Sequence, residues 1–314
     1  MHKFFKNIFL FFLFLSLITN SLIILEGEKD GMEMYSIKNN LIKESSKLDI
    51  PRILIGGGSC ALFSVDTGKL KQATNLNCYN TAVYAGIGYN LILESLLKVS
   101  KPNDKIILVP EYTTFLNSLD GTKGLCDVIF CKPTLIFDLK SYGQVANILE
   151  NYPDFAITKM SLLIQNPYHY FTDTKTPLET NTGGDLIFED YANTVHPNLL
   201  NSIKDISLTR NLKKSAQEYS KVIDLFNSYK KIFDSQKTEF FILWPPVMKE
   251  FYDFNYSEIT KIKSLVVNKL DVKCINGFCD LILRKEYFHD TPEHLNNIGK
   301  KVWFEEIKGR ISIL

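Results

Sequence analysis

Short, fully apolar runs that alternate with amphipathic segments constrain the fold of this chain most strongly. Three runs are predicted to be buried strands: residues 52–55, Lys105–Val109 and residues 240–244. Apolar residues recur at helical spacing in three longer segments: 89–97, 219–233 and 259–270. Continuous apolar strands separated by helices are typical of βαβ units around a parallel sheet with both faces covered. We therefore predict an α/β fold, a three-layer αβα domain with a mostly parallel central sheet.

The domain organisation follows from the segments that lack this alternation. Residues 1–25 form a separate apolar segment, and residues 26–49 are polar and charged, as in a linker or a short helix. Residues 50–314 have an ordinary size for one domain, with an irregular insertion around 113–215. Weaker patterns predict three further elements: a helix over 61–71, a strand over 74–80 and a final helix over 294–307.

The amino-terminal segment predicts export. Residues 8–25 carry no charge, and as a helix they reach about 27 Å, near the thickness of the hydrocarbon core of a membrane. Lys3 and Lys6 precede this run, which places the amino terminus in the cytoplasm. The segment lacks an Ala-x-Ala cleavage site, which favours a signal anchor over a cleaved signal peptide. Both interpretations place residues 30–314 outside the cytoplasm.

Composition excludes two classes of protein. Lys and Arg (36) balance Asp and Glu (35), so no overall basic field is available to bind nucleic acid. A chain that is 45% hydrophobic is too apolar for intrinsic disorder.

Two pairs of cysteines, Cys126/Cys131 and Cys274/Cys279, are spaced either for small disulfide loops or for pairs of free thiols. Their spacing does not match a zinc site, and we expect no metal.

Two segments at opposite ends of the domain carry groups suited to nucleophilic catalysis. A GGGS sequence ending at Ser59 follows the first predicted strand, where glycines allow a sharp turn. Near the carboxyl terminus, Asp290 and His294 lie four residues apart. A serine hydroxyl needs a base such as histidine to become a nucleophile, and a carboxylate orients that base. Helix capping is the alternative explanation of each segment, and Cys60 is predicted to pack under the first helix.

Together these segments resemble the SGNH (GDSL-like) superfamily of hydrolases and acyltransferases, whose central sheet is flavodoxin-like. The resemblance spans most of residues 50–314, with its motifs at both ends. It implies that Ser59 is the nucleophile, His294 the general base and Asp290 the carboxylate that orients His294. The spacing of the last pair is D-x-x-x-H, one residue longer than the usual D-x-x-H of the superfamily.

A second block, at residues 80–88, is similar to the superfamily segment that contributes to the oxyanion hole. The resemblance implies that the backbone N–H groups of Ser59 and Gly86 form this hole. Ala82 and Gly88 are alternative registers for the second donor, because the block contains several small residues.

The third block departs from the superfamily pattern. After the third strand the superfamily has Gly-x-Asn-Asp, whose Asn donates to the oxyanion hole, but this chain has Val-Pro-Glu-Tyr ending in Glu111 and Tyr112. Loss of one oxyanion donor typically costs about 100- to 1000-fold in rate. Tyr112 or Asn117 is an alternative donor, and Glu111 is an alternative substrate-positioning group. We take Glu111, Tyr112 and Asn296 as candidate substrate-binding residues.

The resemblance extends to the membrane-anchored SGNH-like proteins of bacterial surface-polysaccharide modification, through the Asp-Thr-x-x-His-Leu-Asn form of residues 290–296 and weaker motifs at 181–185 and 244–246. It implies an extracytoplasmic serine esterase or O-acyltransferase that acts on acyl esters, chiefly acetyl, of a cell-envelope polysaccharide, without a cofactor. For a transferase it also implies a multi-pass membrane acyltransferase as a partner. The altered third block supports an alternative, a catalytically inactive scaffold or glycan-binding component of an envelope assembly.

Overall fold

The computed structural model describes residues 32–112, 119–165, 180–186, 216–312 and 314, preceded by residues 5–11 and positions 14, 16, 17 and 21. The predicted anchor over residues 8–25 therefore lies largely outside the described residues. Among the residues that are described, no helix combines the length and apolar character needed to cross a membrane.

A parallel sheet of five strands forms the centre of the molecule. Its strands are β1 (Arg52–Gly57), β2 (Asn77–Asn80), β3 (Lys105–Val109), β4 (Glu239–Ile242) and β6 (Lys273–Cys274). They lie in the order β2-β1-β3-β4-β6, and every pairing is parallel. Two short strands, β5 (Val247–Met248) and β7 (Ile282–Leu283), form a separate parallel pair. The predicted α/β class with a parallel central sheet is confirmed.

The inner strands are buried along almost their whole length. All six residues of β1 and the last four of β3 are buried. Ile55 of β1 pairs with Ile107 of β3 in the middle of the sheet. Both faces of these strands are covered, so their sequences are continuously apolar rather than alternating.

Helices connect the strands. Within the described part of the chain they are α1 (Met32–Ser45), α2 (Ser59–Ser64), α3 (Thr67–Thr74), α4 (Tyr89–Val99), α5 (Lys123–Cys131), α6 (Tyr142–Gln165), α7 (Ala216–Ser235), α8 (Lys249–Phe254), α9 (Tyr256–Lys269) and α10 (Asn297–Ile311). Short 3-10 helices cover Ala85–Ile87, Pro133–Asp138 and Lys285–Tyr287. Helix α4 packs on β1 and α7 packs on β4, in line with the helical spacing of their sequences.

Helix caps move three predicted element boundaries. The helix predicted over 61–71 is divided into α2 and α3, because the Asp66 carboxylate accepts a hydrogen bond from the Lys69 N–H and starts a new helix. The strand predicted over 74–80 begins only at residue 77, since Asn75 adopts a left-handed conformation (φ 57°) that ends α3. The last helix begins at residue 297 instead of 294, because the Asn296 side chain caps it.

Helix α1 occupies much of the segment predicted as a polar linker or a short helix, and it belongs to the folded domain. Its buried face consists of Met34, Tyr35, Lys38 and Ile42. The Lys38 ammonium is buried and donates to the carbonyl oxygens of Asn80 (2.8 Å) and Gly184. The apolar residues of this segment recur at helical spacing, so the helix forms despite the polar composition.

The insertion predicted as irregular contains two packed helices. Helices α5 and α6 lie against each other, with the Phe130 ring stacked on Tyr152 (5.0 Å between ring centroids) and on Phe155 (5.1 Å). The rest of the predicted insertion, apart from the 180–186 turn and the residues around these helices, lies outside the described residues.

The cysteines whose side chains are described are free thiols: Cys60, Cys78, Cys126, Cys274 and Cys279. Cys126, Cys274 and Cys279 are thus free thiols rather than disulfide partners, and the side chain of Cys131 lies outside the described part of the structure. Burial is the main cause that raises the pKa of Cys78 and of Cys279 to about 12.

We expect the free energy of unfolding to decrease as pH rises above about 9. A buried thiol with a raised pKa keeps its proton in the folded state after the unfolded chain has lost it. Its stabilising contribution is therefore complete below 9.0 and is lost as pH approaches about 12. Urea denaturation from about pH 8 to pH 11 should show a shallower loss for Cys78→Ala than for the wild type. Equal slopes in the two proteins would contradict this.

A buried ion pair ties the amino ends of β1 and β3 together. The Arg52 guanidinium donates to the Asp104 carboxylate, to Ser45 Oγ (2.9 Å) and to the Val99 carbonyl (3.0 Å). Asp104 also accepts the N–H of Lys101 (2.9 Å) in the turn before β3. Turn chemistry therefore explains only part of the role of Asp104, because its side chain is 1% exposed and neutralises a buried arginine.

We expect Asp104→Ala to destabilise the fold by about 3–5 kcal/mol, because it leaves the Arg52 guanidinium buried without its counter-charge. The free energy of unfolding from urea denaturation measures this loss. Asp234→Ala is the matched control, since it breaks an exposed pair with Lys230 and should cost less than about 1 kcal/mol. Similar losses in the two variants would contradict a larger contribution of the buried pair to the free energy of unfolding.

Candidate active site

The site lies at the carboxyl ends of β1 and β3. These strands are neighbours in the sheet, while β2 lies on the other side of β1, so the direction of strand addition reverses between β1 and β3. Ligands of open α/β sheets bind in the crevice at such a reversal. Ser59 follows β1 and Glu111 follows β3, two residues beyond the paired positions Gly57 and Val109.

The glycine turn before α2 brings Ser59 to this crevice. A Cβ atom at Gly57, whose φ is +155°, would lie 2.5 Å from the Val109 carbonyl oxygen. A Cβ atom at Gly58 would lie 2.5 Å from Glu111 Oε1. Side chains are therefore excluded at both positions, and the chain turns directly from β1 into α2, which begins at Ser59.

Three side chains form one hydrogen-bonded chain across the site. Ser59 Oγ lies 2.8 Å from His294 Nε2, and His294 Nδ1 lies 2.8 Å from Asp290 Oδ1. The serine and the histidine are 235 positions apart in the sequence. The arrangement is that of a nucleophile, a base and a carboxylate that orients the base.

Local contacts fix the His294 imidazole. The His294 N–H donates to Thr291 Oγ1 (3.1 Å), and the His289 N–H donates to the His294 carbonyl (2.9 Å). The Phe63 ring lies 4.8 Å from the imidazole, between ring centroids. These contacts fold residues 290–294 into a turn that accommodates the extra residue of the D-x-x-x-H spacing. The Asp290 carboxylate therefore still reaches His294 Nδ1.

Asp290 carries the negative charge of the site. Burial acts to raise the pKa of Asp290, but the hydrogen bond and charge of His294, together with the charge of His289, lower that pKa below its usual 3.8. Asp290 is therefore an ionised acceptor and holds the proton of the imidazole on Nδ1. This leaves Nε2 to face the serine hydroxyl.

The second block packs against the glycine turn, since a Cβ atom at Gly58 would lie 2.6 Å from Ala85 Cβ. Of the three residues considered for the oxyanion hole, Ala82 donates its N–H to the Asn80 side chain (3.1 Å) and Gly88 donates to the Ala85 carbonyl (3.0 Å). Gly86 is therefore the best candidate of the three. It lies in the 3-10 helix that packs against the glycine turn.

The Glu111 carboxylate lies where the superfamily pattern expects an asparagine donor. Its Oε1 accepts hydrogen bonds from Ser59 Oγ (2.8 Å) and from the Cys60 N–H (2.7 Å), and the residue is 3% exposed. The sequence marked Glu111 as a substrate-positioning candidate, but the structure places its carboxylate on the nucleophile itself.

Tyr112 is part of the core, not of the substrate site. Its hydroxyl donates to the Pro245 carbonyl (2.8 Å) and accepts the Cys279 N–H (3.2 Å), and its ring stacks on Trp244. It is 2% exposed, so the predictions that it binds substrate or donates to an oxyanion are corrected. Asn117, the other alternative donor, lies outside the described residues.

Asn296 also has a packing role. The side chain is fully buried, and its Oδ1 accepts the N–H groups of Ile298 (3.1 Å) and Gly299 (2.9 Å) at the start of α10. Its Nδ2 donates to the Glu286 carbonyl (2.7 Å). Asn296 therefore caps a helix behind His294 and does not face a substrate, which corrects the prediction of substrate binding.

Cys60 lies beside the nucleophile but points into the core. It is fully buried, and burial, followed by the charges of Glu293 and Glu111, raises the pKa of its thiol well above 9.0. A neutral, buried thiol is a poor nucleophile, in line with its predicted packing role. No group of three or more His, Cys, Asp or Glu side chains among the described residues is placed to hold a metal ion.

A buried network behind the nucleophile helix involves a residue that the sequence did not single out. Asp185 accepts from the N–H (2.8 Å) and hydroxyl (2.6 Å) of Thr67 and from Asn80 Nδ2 (3.3 Å), which also donates to the Ala61 carbonyl of α2 (3.1 Å). The sequence feature that belongs to this network is the motif at 181–185. Its Gly183 packs so closely on α3 that a Cβ atom there would lie 2.0 Å from Thr67 Oγ1. Asp185 thus contacts the start of α3 directly and α2 only through Asn80.

Comparison of the chain with models of known protein families, with curated proteins and with solved structures finds no match in any of the three. A hydroxyl, an imidazole and a carboxylate in one hydrogen-bonded chain can carry out nucleophilic attack on an acyl carbonyl, with the imidazole as proton carrier.

Proposed function

We propose that this protein is a serine acyl-ester hydrolase or O-acyltransferase of the SGNH type. The observation that carries the proposal is the hydrogen-bonded chain from Ser59 through His294 to Asp290, with both contacts at 2.8 Å. Two segments from opposite ends of the domain meet there with the atoms in the order that acyl transfer requires.

The reaction follows from this geometry. Ser59 Oγ attacks the acyl carbonyl carbon while His294 Nε2 takes the hydroxyl proton, and Asp290 stabilises the resulting imidazolium. The tetrahedral intermediate collapses to an acyl-serine as the imidazolium gives its proton to the departing alcohol. Water or a sugar hydroxyl then attacks the acyl-serine, with His294 again as base, and releases the acid or the new ester.

The strand order supports membership of the superfamily. Counting only the strands of the five-stranded sheet along the chain, the order is 2-1-3-4-5, which is the flavodoxin-like order. Helices between the strands fit the three-layer αβα arrangement, and the nucleophile follows the first strand.

Substrate and location are proposed from the resemblance and from the amino-terminal sequence. The Asp-Thr-x-x-His-Leu-Asn form of residues 290–296 supports acetyl esters of a cell-envelope polysaccharide as substrate. The uncharged run over residues 8–25 supports a single anchor, or a signal peptide, with the catalytic domain outside the cytoplasm. A transferase of this kind would receive its acyl group from a multi-pass membrane partner.

Glu111 favours one second candidate, an inactive scaffold or glycan-binding component. A carboxylate next to the nucleophile opposes the negative charge that develops on the carbonyl oxygen during attack. In a protein that only binds glycans, this opposition has no consequence.

Covalent labelling with a fluorophosphonate probe tests the proposal. We expect the wild type to be labelled and Ser59→Ala to be unlabelled, because the probe reacts with an activated serine. Ser264→Ala is the matched control, since Ser264 is exposed on α9 and should not affect labelling. Labelling of Ser59→Ala at the wild-type rate would overturn the assignment. Folded wild type that stays unlabelled would support the scaffold.

A further inference from the structure

The two short contacts at the nucleophile need two protons. Ser59 Oγ lies 2.8 Å from Glu111 Oε1 and 2.8 Å from His294 Nε2, and both of these atoms are acceptors in their ordinary basic forms. The serine hydroxyl supplies one proton. The imidazole proton on Nδ1 is already directed to Asp290, so it cannot fill the second contact. The second proton therefore belongs to Glu111 or to His294 Nε2.

Only one of these two arrangements combines the imidazole as base with a hydrogen-bond donor at Glu111. When the second proton is on Nε2, His294 is an imidazolium and the Ser59 proton points to an ionised Glu111. Glu111 would then have to be the base, and its carboxylate could not donate to the oxyanion. When the second proton is on Glu111, the carboxyl O–H donates to Ser59 Oγ and the Ser59 proton points to a neutral Nε2. The two arrangements hold the same number of protons. They interconvert as Ser59 gives its proton to Glu111 and receives one from His294.

We propose that Glu111 is a catalytic residue that acts in its protonated form and supplies the oxyanion hydrogen bond expected from an asparagine. The inference rests on the proposed function. During attack the Ser59 proton moves to His294 Nε2, the Oγ–C bond forms, and the carbonyl π pair moves to oxygen. The Glu111 O–H then donates to that oxygen and keeps its proton when the intermediate collapses.

The position of this carboxyl is built into the fold. The absence of a side chain at Gly58 leaves the space that Oε1 occupies, and the Cys60 N–H donates to the same oxygen (2.7 Å). The Glu111 N–H donates to the Tyr89 hydroxyl (3.1 Å), which fixes the backbone. A donor held this firmly does not need to reorganise when the oxyanion forms, which is what makes such donors effective.

The other ionisable groups around Glu111 are compatible with its neutral form. Glu293 is another buried acid near the site, and it accepts the Tyr112 N–H. The Cys60 thiol is neutral, because burial raises its pKa well above 9.0. The Tyr89 hydroxyl, which accepts the Glu111 N–H, and the His294–Asp290 pair described above also lie at the site.

The proposal predicts the pH profile of fluorophosphonate labelling. The reactive form holds one proton over the Glu111–His294 pair, so the rate should fall at low pH, when both are protonated, and at high pH, when neither is. Glu111→Gln carries a permanent N–H donor, so it should stay within about tenfold of the wild-type maximum and lose only the alkaline limb. Glu111→Ala should be about 100- to 1000-fold slower.

Glu293→Gln is the matched control, since it replaces another buried acid near the site with the same amide side chain and should keep both limbs. Loss of labelling in Glu111→Gln to the level of Glu111→Ala would overturn the proposal, as would an alkaline limb that survives in Glu111→Gln. A wild-type profile without an alkaline limb would also overturn it, and this measurement does not depend on the folding of any variant. Labelling that is abolished by Ser59→Ala in the same series shows that the proposed function stands when only the role of Glu111 fails.

Discussion

Hydrolysis of p-nitrophenyl acetate should fall at least ~10⁴-fold in Ser59→Ala and in His294→Ala. The two side chains share one hydrogen bond and act in one step, so the loss of either disables the same transfer. The measurement is kcat/KM from initial rates, corrected for the uncatalysed reaction. Ser64→Ala is a demanding control, because Ser64 lies on the same helix and accepts the Leu295 N–H instead of contacting the imidazole.

The double variant Ser59→Ala/His294→Ala adds a second check. Residues that act as a unit show losses that do not add, so the double variant should be no slower than either single variant by more than about tenfold. Losses that multiply would show that the serine and the histidine act in separate steps. That result would contradict the hydrogen-bonded chain as the catalytic unit.

Asp290→Asn should lower kcat by about 10⁴-fold while KM changes little. An asparagine amide placed toward Nδ1 donates a proton there, which moves the imidazole proton to Nε2 and removes the base that faces Ser59. The side chain of Asp290 is 36% exposed and is not part of the core, so the variant should fold. A KM effect without a kcat effect would contradict the orienting role and would indicate substrate binding instead.

The central sheet of this protein can be predicted from the sequence, because strands that are buried on both faces consist of continuous apolar residues. Strands β1 and β3 are covered on both faces, and their continuous apolar runs locate them to within about two residues. Element boundaries depend on single polar residues such as Asp66, whose side chain caps the start of α3, and Asn75, whose left-handed backbone ends that helix. These boundaries therefore differ between prediction and structure.

The candidate site shows a similar division. Ser59, Asp290 and His294 could be found from residue types and spacing, since the chemistry of acyl transfer needs all three. The contact between Glu111 and Ser59 could not, because it depends on the register that pairs Gly57 with Val109. A shift of one residue in that register would turn the carboxylate away from the nucleophile.

The buried positions of Tyr112 and Asn296 were also beyond sequence reasoning. Both are polar residues next to predicted site motifs, and polar residues are mostly exposed. The partners that bury the Tyr112 hydroxyl, Pro245 and Cys279, are far away in the sequence, so its direction is a consequence of tertiary packing.

Mapping the fluorophosphonate adduct by mass spectrometry identifies the nucleophile itself. Trypsin cleavage after Arg52 and Lys69 gives a peptide of residues 53–69 that contains Ser59, Cys60 and Ser64. Fragmentation of this peptide by tandem mass spectrometry distinguishes these three nucleophiles. We expect a single adduct on Ser59 that is absent in His294→Ala. An adduct on Cys60, on Ser64 or elsewhere in the folded wild type would rule out Ser59 as the nucleophile.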